Sequence, residues 1–353
     1  MNSQLLAISK TQAQAGITLG PAPEPRSPLP HEVLVQVRAA GICGSDVSIY
    51  QWGAHYNFMK KHFPIVLGHE FAGIVQEAGS AVTHLAPGDK MVAMPSTSCM
   101  RCAQCLAGAP QMCPHKQTLG FTRDGAFAPY VTLSAASCLK LPAHTEMDLA
   151  ALIEPLCVGD NAVDSAEIRP GDTVVVLGPG TIGQAIIHAV KWRGAGQIIA
   201  VGKNDNSRLQ VAQAMGATAI ADLADSDEPL PQAIRALTGG KAVDVVIEAT
   251  GHPSSIREGL QILRPGGILV ATGIHKMPAD FDLTALVRNK QQLRGAHGST
   301  YPNWQRMIAR VAAQPELVRP MLSRTLDLAE AEKGFQLCLK REVSKVVLNP
   351  THE

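Results

Sequence analysis

No stretch of this 353-residue chain approaches the eighteen or so uninterrupted apolar residues that a membrane-spanning helix needs. Charge of one sign is equally absent: 31 basic against 30 acidic residues leave a formal net charge of +1. Nothing in that balance points to nucleic acid or an acidic membrane surface as a partner. The opening MNSQLLAISK has no basic segment followed by an apolar run, so no signal peptide is expected and the protein reads as cytoplasmic. No internal repeat or low-complexity linker breaks the chain. Its length suits two domains with real cores, and apolar content of 46% with 17% charged residues is that of an ordinary globular protein.

Cysteine is scarce too, except in one place. Four of the eight fall within CMRCAQCLAGAPQMC, as Cys99, Cys102, Cys105 and Cys113. Disulfides rarely persist in a reducing compartment, and a chain of this size needs no staples. Thiols spaced C-x-x-C-x-x-C-x7-C can instead wrap one ion, because structural zinc takes four thiolates at about 2.3 Å in a closed tetrahedron. An iron–sulfur cluster or redox thiols are the alternatives. Cys138, Cys157 and Cys338 read as small apolar residues.

Residues 1–153 alternate short β-rich runs (EVLVQVRAAG, FAGIVQEAG, KMVAMPS, APYVTLS) with Gly, Pro and Asp breaks, which predicts a compact, mostly β domain. Over 154–290 the pattern changes to continuous apolar runs (TVVVLG, QIIAVG, VDVVIEATG, GGILVATG) alternating with helical segments, the signature of a doubly wound parallel sheet. Residues 291–353 end in SKVVLNP, a β run that can rejoin the first domain. In VVVLGPGTIG, Gly178, Gly180 and Gly183 stand in G-x-G-x-x-G spacing around Thr181 and Ile182, between a strand and a helix. These glycines provide the tight turn, the close approach to a pyrophosphate and the helix packing of a dinucleotide site. The residue about twenty positions on usually chooses the cofactor, and there the chain has Lys203, then Asn204 and Asp205, with Arg208 a turn later. Lysine suits the 2′-phosphate of NADP, while Asn204 or Asp205 can still hold the ribose of NAD.

The first domain holds the chemistry. GICGSD offers Cys43 with the Ser45 hydroxyl two residues on, GHE offers His69 and Glu70, and LIEPLC places Glu154 before a proline. A thiolate, an imidazole and carboxylates suffice to bind a catalytic zinc with one position open.

With these motifs in order (GICGSD, LGHEFAG, the cysteine loop, DGAFAPY, LIEPL, VVVLGPGTIG), the sequence resembles the zinc-containing medium-chain alcohol dehydrogenases, in the sorbitol (polyol) and threonine dehydrogenase branch. The resemblance implies a GroES-like β-barrel catalytic domain, split between the N- and C-terminal stretches, plus a Rossmann domain, in homodimers or homotetramers. It implies two zincs per chain and NAD or NADP. Carried over, Cys43 and His69 match ligands of the catalytic zinc, and Glu70 binds it directly or through water. Glu154 fills the position of a further ligand, and Ser45 is the hydroxyl that relays the alcohol proton. Metal-assisted deprotonation, hydride transfer to the nicotinamide and domain closure over a small-molecule substrate then follow. Ser48 stands where many relatives have a relay histidine, and Gly298 where sorbitol dehydrogenases often carry an arginine. His55, Tyr56, Phe121 and His297 are candidates to line the pocket. The leading reading is a dehydrogenase of a polyol, sugar alcohol or sugar acid. A threonine-type amino-alcohol dehydrogenase and a quinone reductase-like or non-catalytic NADPH-binding relative are the alternatives.

Overall fold

Residues 5–224 and 228–351 are described in a computed structural model. The chain divides into two compact units. One holds the residues up to Glu154, a short piece at 311–315, and everything from Leu322 on; the other holds Pro155–Arg310 and Glu316–Met321.

The first unit is built on β1 (Glu32–Gly41), β2 (Glu70–Ala78), β3 (Lys90–Ala93), β4 (Tyr130–Ser134) and β5 (Cys138–Lys140), with α1 (Gly44–Gln51) leaving directly from the end of β1. Alternation in EVLVQVR sends Val33, Val35 and Val37 into the core at 0% exposure, while Leu34, Gln36 and Arg38 stay half-buried. β1 pairs antiparallel with β2 in a register that sets Gly41 opposite Glu70. A Cβ at that position would lie 2.5 Å from Glu70 Oε2 and would displace that carboxylate.

The second unit opens with most of α2 (Ile153–Asp164), the helix whose second residue is Glu154. Its strands are β6 (Thr173–Leu177), β7 (Gln197–Gly202), β8 (Ala219–Asp222), β9 (Val243–Glu248), β10 (Leu263–Ala271) and β11 (Gln292–Gly295). All are parallel, in the order β8-β7-β6-β9-β10-β11, the arrangement of a dinucleotide-binding Rossmann sheet. Val174, Val175 and Val176 are 0% exposed, as continuous apolar strands covered on both faces should be. α3 (Thr181–Trp192) follows the glycine turn, α4 (Asn206–Met215) follows β7, and α5 (Tyr301–Ala313) follows β11.

The chain then returns to the first unit with β12 (Leu322–Asp327) and β13 (Lys345–Asn349). β13 pairs antiparallel with β1 and parallel with β12, completing a seven-stranded sheet in the order β5-β3-β2-β1-β13-β12 with β4 on β1. The return therefore begins later than the expected 291. β11 extends the Rossmann sheet in register with β10, and Asn303 of α5 donates to Asp160 and Asp164 of α2 at 2.8 and 2.9 Å, fixing the start of α5 in the second unit. No helix among the described residues is long and apolar enough to cross a membrane.

One buried group in the second unit gives stability a pH dependence. His188 of α3 is 2% exposed, and its Nε2 has no hydrogen-bond partner. Burial, with the Arg310 and Lys191 charges adding, pulls its pKa down to about 4. The unfolded chain therefore takes up a proton below about pH 6.5 that the folded chain refuses, so stability drops as pH falls through that window. Between about pH 7.5 and about pH 5 this group should cost about 2 kcal/mol. Thermal unfolding at both pH values should show the wild type losing about that much more than His188→Gln; equal losses would refute the assignment.

Candidate active site

β1 ends at Gly41, Ile42 follows, and Cys43 caps α1. The Cys43 sulfur thus sits at a helix N-terminus, where the dipole favours a thiolate. His69 and Glu70 enter on the antiparallel neighbour β2, so one register brings GICGSD and GHE together. Cys43, His69 and Glu70 each offer a ligand atom, and these atoms all lie within 4.8 Å of one another. His69 is 6% and Glu70 1% exposed.

A residue not singled out in the sequence organises this trio. Asp46 is fully buried; its Oδ2 accepts from the Cys43 backbone N–H at 3.0 Å, and its Oδ1 faces His69 Nδ1 at 3.7 Å. At that separation the two are not hydrogen-bonded, and Asp46 acts on the imidazole through its charge, which raises ligand basicity. Burial favours a neutral His69, but the negative charge of Asp46, with Cys43 beside it, holds its pKa well above the usual value. Burial, reinforced by Glu70, pushes the Cys43 thiol up. Without a cation the site therefore retains protons that a bound metal would displace.

A second unforeseen partner comes from the far end of the chain. Lys345 of β13, 1% exposed, donates to Glu70 Oε2 at 2.5 Å and to the Ile42 carbonyl at 2.9 Å. That leaves Glu70 Oε1 buried with no hydrogen-bond partner, and Ser45 Oγ is in the same condition. Orphaned buried oxygens beside a thiol and an imidazole are what a divalent cation with one open position would satisfy, so the residues fit zinc. Glu154 stands outside the compact trio but interacts electrostatically with it: burial, with Glu70 adding, pushes its pKa up to about 7.

Aromatic groups wall the site. Phe121 lies 5.3 Å from the His69 ring, centroid to centroid, and 6.4 Å from Tyr56, which packs on His55 at 4.2 Å. Burial pushes the Tyr56 phenol up to about 12, so it stays protonated, and its hydroxyl donates to the Ser45 carbonyl at 3.4 Å. Ser48 turns back on its own helix, donating to the Gly44 carbonyl at 3.0 Å. His297 and Gly298 belong to the second unit, where the Gly298 carbonyl accepts from Asn161 at 3.1 Å.

The four-cysteine loop is equally ready for an ion. Its ligand sulfurs lie within 4.8 Å of one another, with Cys113 Sγ 3.5 Å from that of Cys99 and 3.8 Å from that of Cys102. Sulfurs about 2.3 Å from a tetrahedral zinc stand about 3.8 Å apart. Backbone N–H groups, that of Arg101 foremost, bring Cys99 down to about 6, while burial pushes Cys105 up to about 12. Of the remaining cysteines Cys138 and Cys157 are buried, and Cys338 is half-buried.

In the second unit the glycine turn has the predicted geometry. Gly178 has φ +99°, and a Cβ on Gly183 would stand 1.8 Å from the Gly178 carbonyl oxygen. Thr181 and Ile182 begin α3. Lys203 and Asn204 are exposed at the end of β7, and Arg208 Nε donates to Asp205 at 2.6 Å.

Comparison with known proteins covers nearly the whole chain. Residues 29–143 match the alcohol dehydrogenase GroES-like domain family, and residues 181–313 match the zinc-binding dehydrogenase family. An L-threonine 3-dehydrogenase of Bacillus velezensis is 35% identical over 352 residues, covering 99% of this chain and 100% of the relative. A D-xylulose reductase A of Aspergillus niger is 34% identical over 319 residues, covering 89% of this chain and 88% of the relative. The crystal structure of 2R,3R-butanediol dehydrogenase from Bacillus subtilis superposes with a TM-score of 0.88 at 27% identity, covering 98% of this chain and 100% of that one.

Proposed function

Because the chain belongs to the zinc-containing medium-chain alcohol dehydrogenase family and is thus an NAD(P)-dependent oxidoreductase, we propose that it transfers hydride between a secondary alcohol of a polyol, sugar alcohol or sugar acid and the nicotinamide. The observation that carries the reading is the compact trio of half-buried Cys43 with buried His69 and Glu70, and the orphaned Ser45 hydroxyl two residues after Cys43. Zinc bound there supplies Lewis acidity toward a hydroxyl, and the nicotinamide accepts the hydride.

This chain's own residues do the rest. Cys43, His69 and Glu70 hold the ion, with Glu154 close enough electrostatically to respond to its charge. Asp46 places a negative charge behind His69 and ties down the Cys43 backbone. Ser45 Oγ, lacking any other partner, takes the alcohol proton and passes it outward. Lys345 neutralises one oxygen of Glu70 and leaves the other free for the metal. Tyr56 and Phe121 present apolar faces that exclude water beside the reacting carbon. Cys99, Cys102, Cys105 and Cys113 hold the second zinc, which takes no part in the chemistry. On this reading the enzyme is cytoplasmic and assembles as a homodimer or homotetramer.

A second substrate class is favoured by one observation: the threonine dehydrogenase of Bacillus velezensis matches this chain end to end. A panel of polyols, aldonic acids, butanediols and threonine, assayed at the reduced-nicotinamide absorbance with NAD and NADP separately, tests both. Turnover of a polyol or sugar acid supports the leading reading, and turnover of threonine alone replaces it with the second. Silence across the panel from protein carrying two zincs per chain would defeat both.

A further inference from the structure

The end of β7 is the place where a Rossmann fold meets the adenosine ribose of its dinucleotide. In Rossmann sites that prefer NAD, an acid about twenty residues past the glycine motif accepts hydrogen bonds from the ribose 2′-hydroxyl. Two carboxylates border the Lys203–Asp205 turn, and both are already engaged. Asp205 is 5% exposed and gives both oxygens to Arg208, Oδ1 to Nε at 2.6 Å and Oδ2 to Nη2. Asp222, the last residue of β8, accepts three backbone N–H groups: Asn204 at 2.8 Å, Asp205 at 2.7 Å and Ala224 at 3.0 Å. Asp205 is thus committed to Arg208, and three of the roughly four acceptor sites of Asp222 are taken by backbone N–H groups.

Cations remain. Lys203 is exposed, and its ammonium has no partner among the described residues. Arg208, held by Asp205, places Nη1 3.4 Å from where a Cβ on Gly180 would stand, beside the phosphate-binding turn. The Asp222 clamp fixes the backbone on the C-terminal side of Lys203 and holds Asn204 at φ +52°, in the left-handed region that asparagine tolerates.

We propose that this turn selects NADP(H) over NAD(H): Lys203 binds the 2′-phosphate, the Asp205–Arg208 pair withholds the carboxylate that NAD would need, and Asp222 is a positioning residue that sets the turn through its backbone. The inference rests on the dehydrogenase reading above and narrows its cofactor. A lysine–phosphate contact is a charge-assisted hydrogen bond, and such contacts change affinity by roughly 10- to 100-fold.

The test is binding, independent of turnover. Zinc-loaded full-length protein is titrated with NADPH and NADH by nucleotide fluorescence, and with 2′,5′-ADP and 5′-ADP by calorimetry. NADPH should bind at least about tenfold tighter than NADH, with the same preference for 2′,5′-ADP. Lys203→Ala should collapse the ratio, and Lys203→Asp should invert it. Asp222→Asn should lower the ratio in the wild-type background and leave it unchanged in the Lys203→Ala background, a coupling that general destabilisation would not produce. NADH binding as tightly as NADPH to the wild type, or Lys203→Ala weakening both alike, would overturn the proposal while leaving the dehydrogenase reading intact. Binding of neither dinucleotide would overturn both.

Discussion

Replacing Cys43 with serine is expected to reduce kcat/KM by on the order of 10³-fold or more while the protein still folds. The serine hydroxyl is a poor substitute for a thiolate toward zinc, and Cys43 is one of only three groups in the compact ligand set. Structural consequences are small because Cys43 is not among the large core side chains; its backbone N–H still reaches Asp46, and the β1–β2 register does not depend on its sulfur. Metal content should fall from two ions per chain to one, since the four-cysteine loop is untouched. Nucleotide binding should persist, because Gly178, Gly180 and Gly183 lie in the other unit. Metal analysis, nucleotide titration and initial rates on one preparation test all three. A wild-type rate in this variant would sink the assignment of the catalytic centre.

The second large effect concerns stability. Cys113→Ser should cost at least about 5 kcal/mol of unfolding free energy in the first unit, seen as a marked drop in its melting temperature and as protease cleavage within residues 99–116. Little besides the ion can hold that segment. Its helical pieces, Ala103–Leu106 and Pro110–Met112, span four and three residues, too short to persist alone. Met100, Leu106 and Met112 are 65%, 76% and 69% exposed, so apolar packing contributes little. Cys113 is central to the cluster, contacting Cys99 and Cys102 and accepting the Cys99 backbone N–H at 3.4 Å. Chelation of the wild type should reproduce the cleavage pattern. An unchanged melting temperature after loss of the ion would show that packing, not metal, holds the loop.

The sequence revealed those parts of the site whose chemistry is local. The cysteine quartet lies within fifteen residues, and the glycine motif and GHE are shorter still; the quartet's spacing points to an ion, and the other two gain meaning from the β-α-β setting and from standing in one chain with it. The split β unit and the parallel sheet were legible for a similar reason, since alternating and continuous apolar runs report which faces of a strand are covered. The supporting residues were hidden because their partners are distant in sequence. Asp46 sits within GICGSD, yet its role depends on His69, brought near by strand register. Lys345 is 275 residues from Glu70. Asp205 looked available to a ribose until Arg208 was placed on it, and Asp222 carried no motif at all. The late start of the C-terminal return was hidden for another reason: α5 is an amphipathic helix, and it is the contacts of its Asn303 and Arg306 with Asp160 and Asp164 that tie its start to the second unit.

The pairing of Glu70 with Lys345 also sets an order of assembly. Cys43, His69 and Glu70 leave the ribosome early, but the cation that neutralises Glu70 and the strand that closes on β1 follow only after the entire dinucleotide unit has been made. Until then Glu70 lacks the ammonium that pairs with it, and Ala40 and Gly41 at the end of β1 lack their β13 partners. A contact of such long sequence separation forms slowly, after the local structure on both sides is in place. A chain that stops anywhere within the Rossmann unit therefore lacks both Lys345 and the strand that carries it, so the surroundings of Glu70 are complete only once β13 is in place.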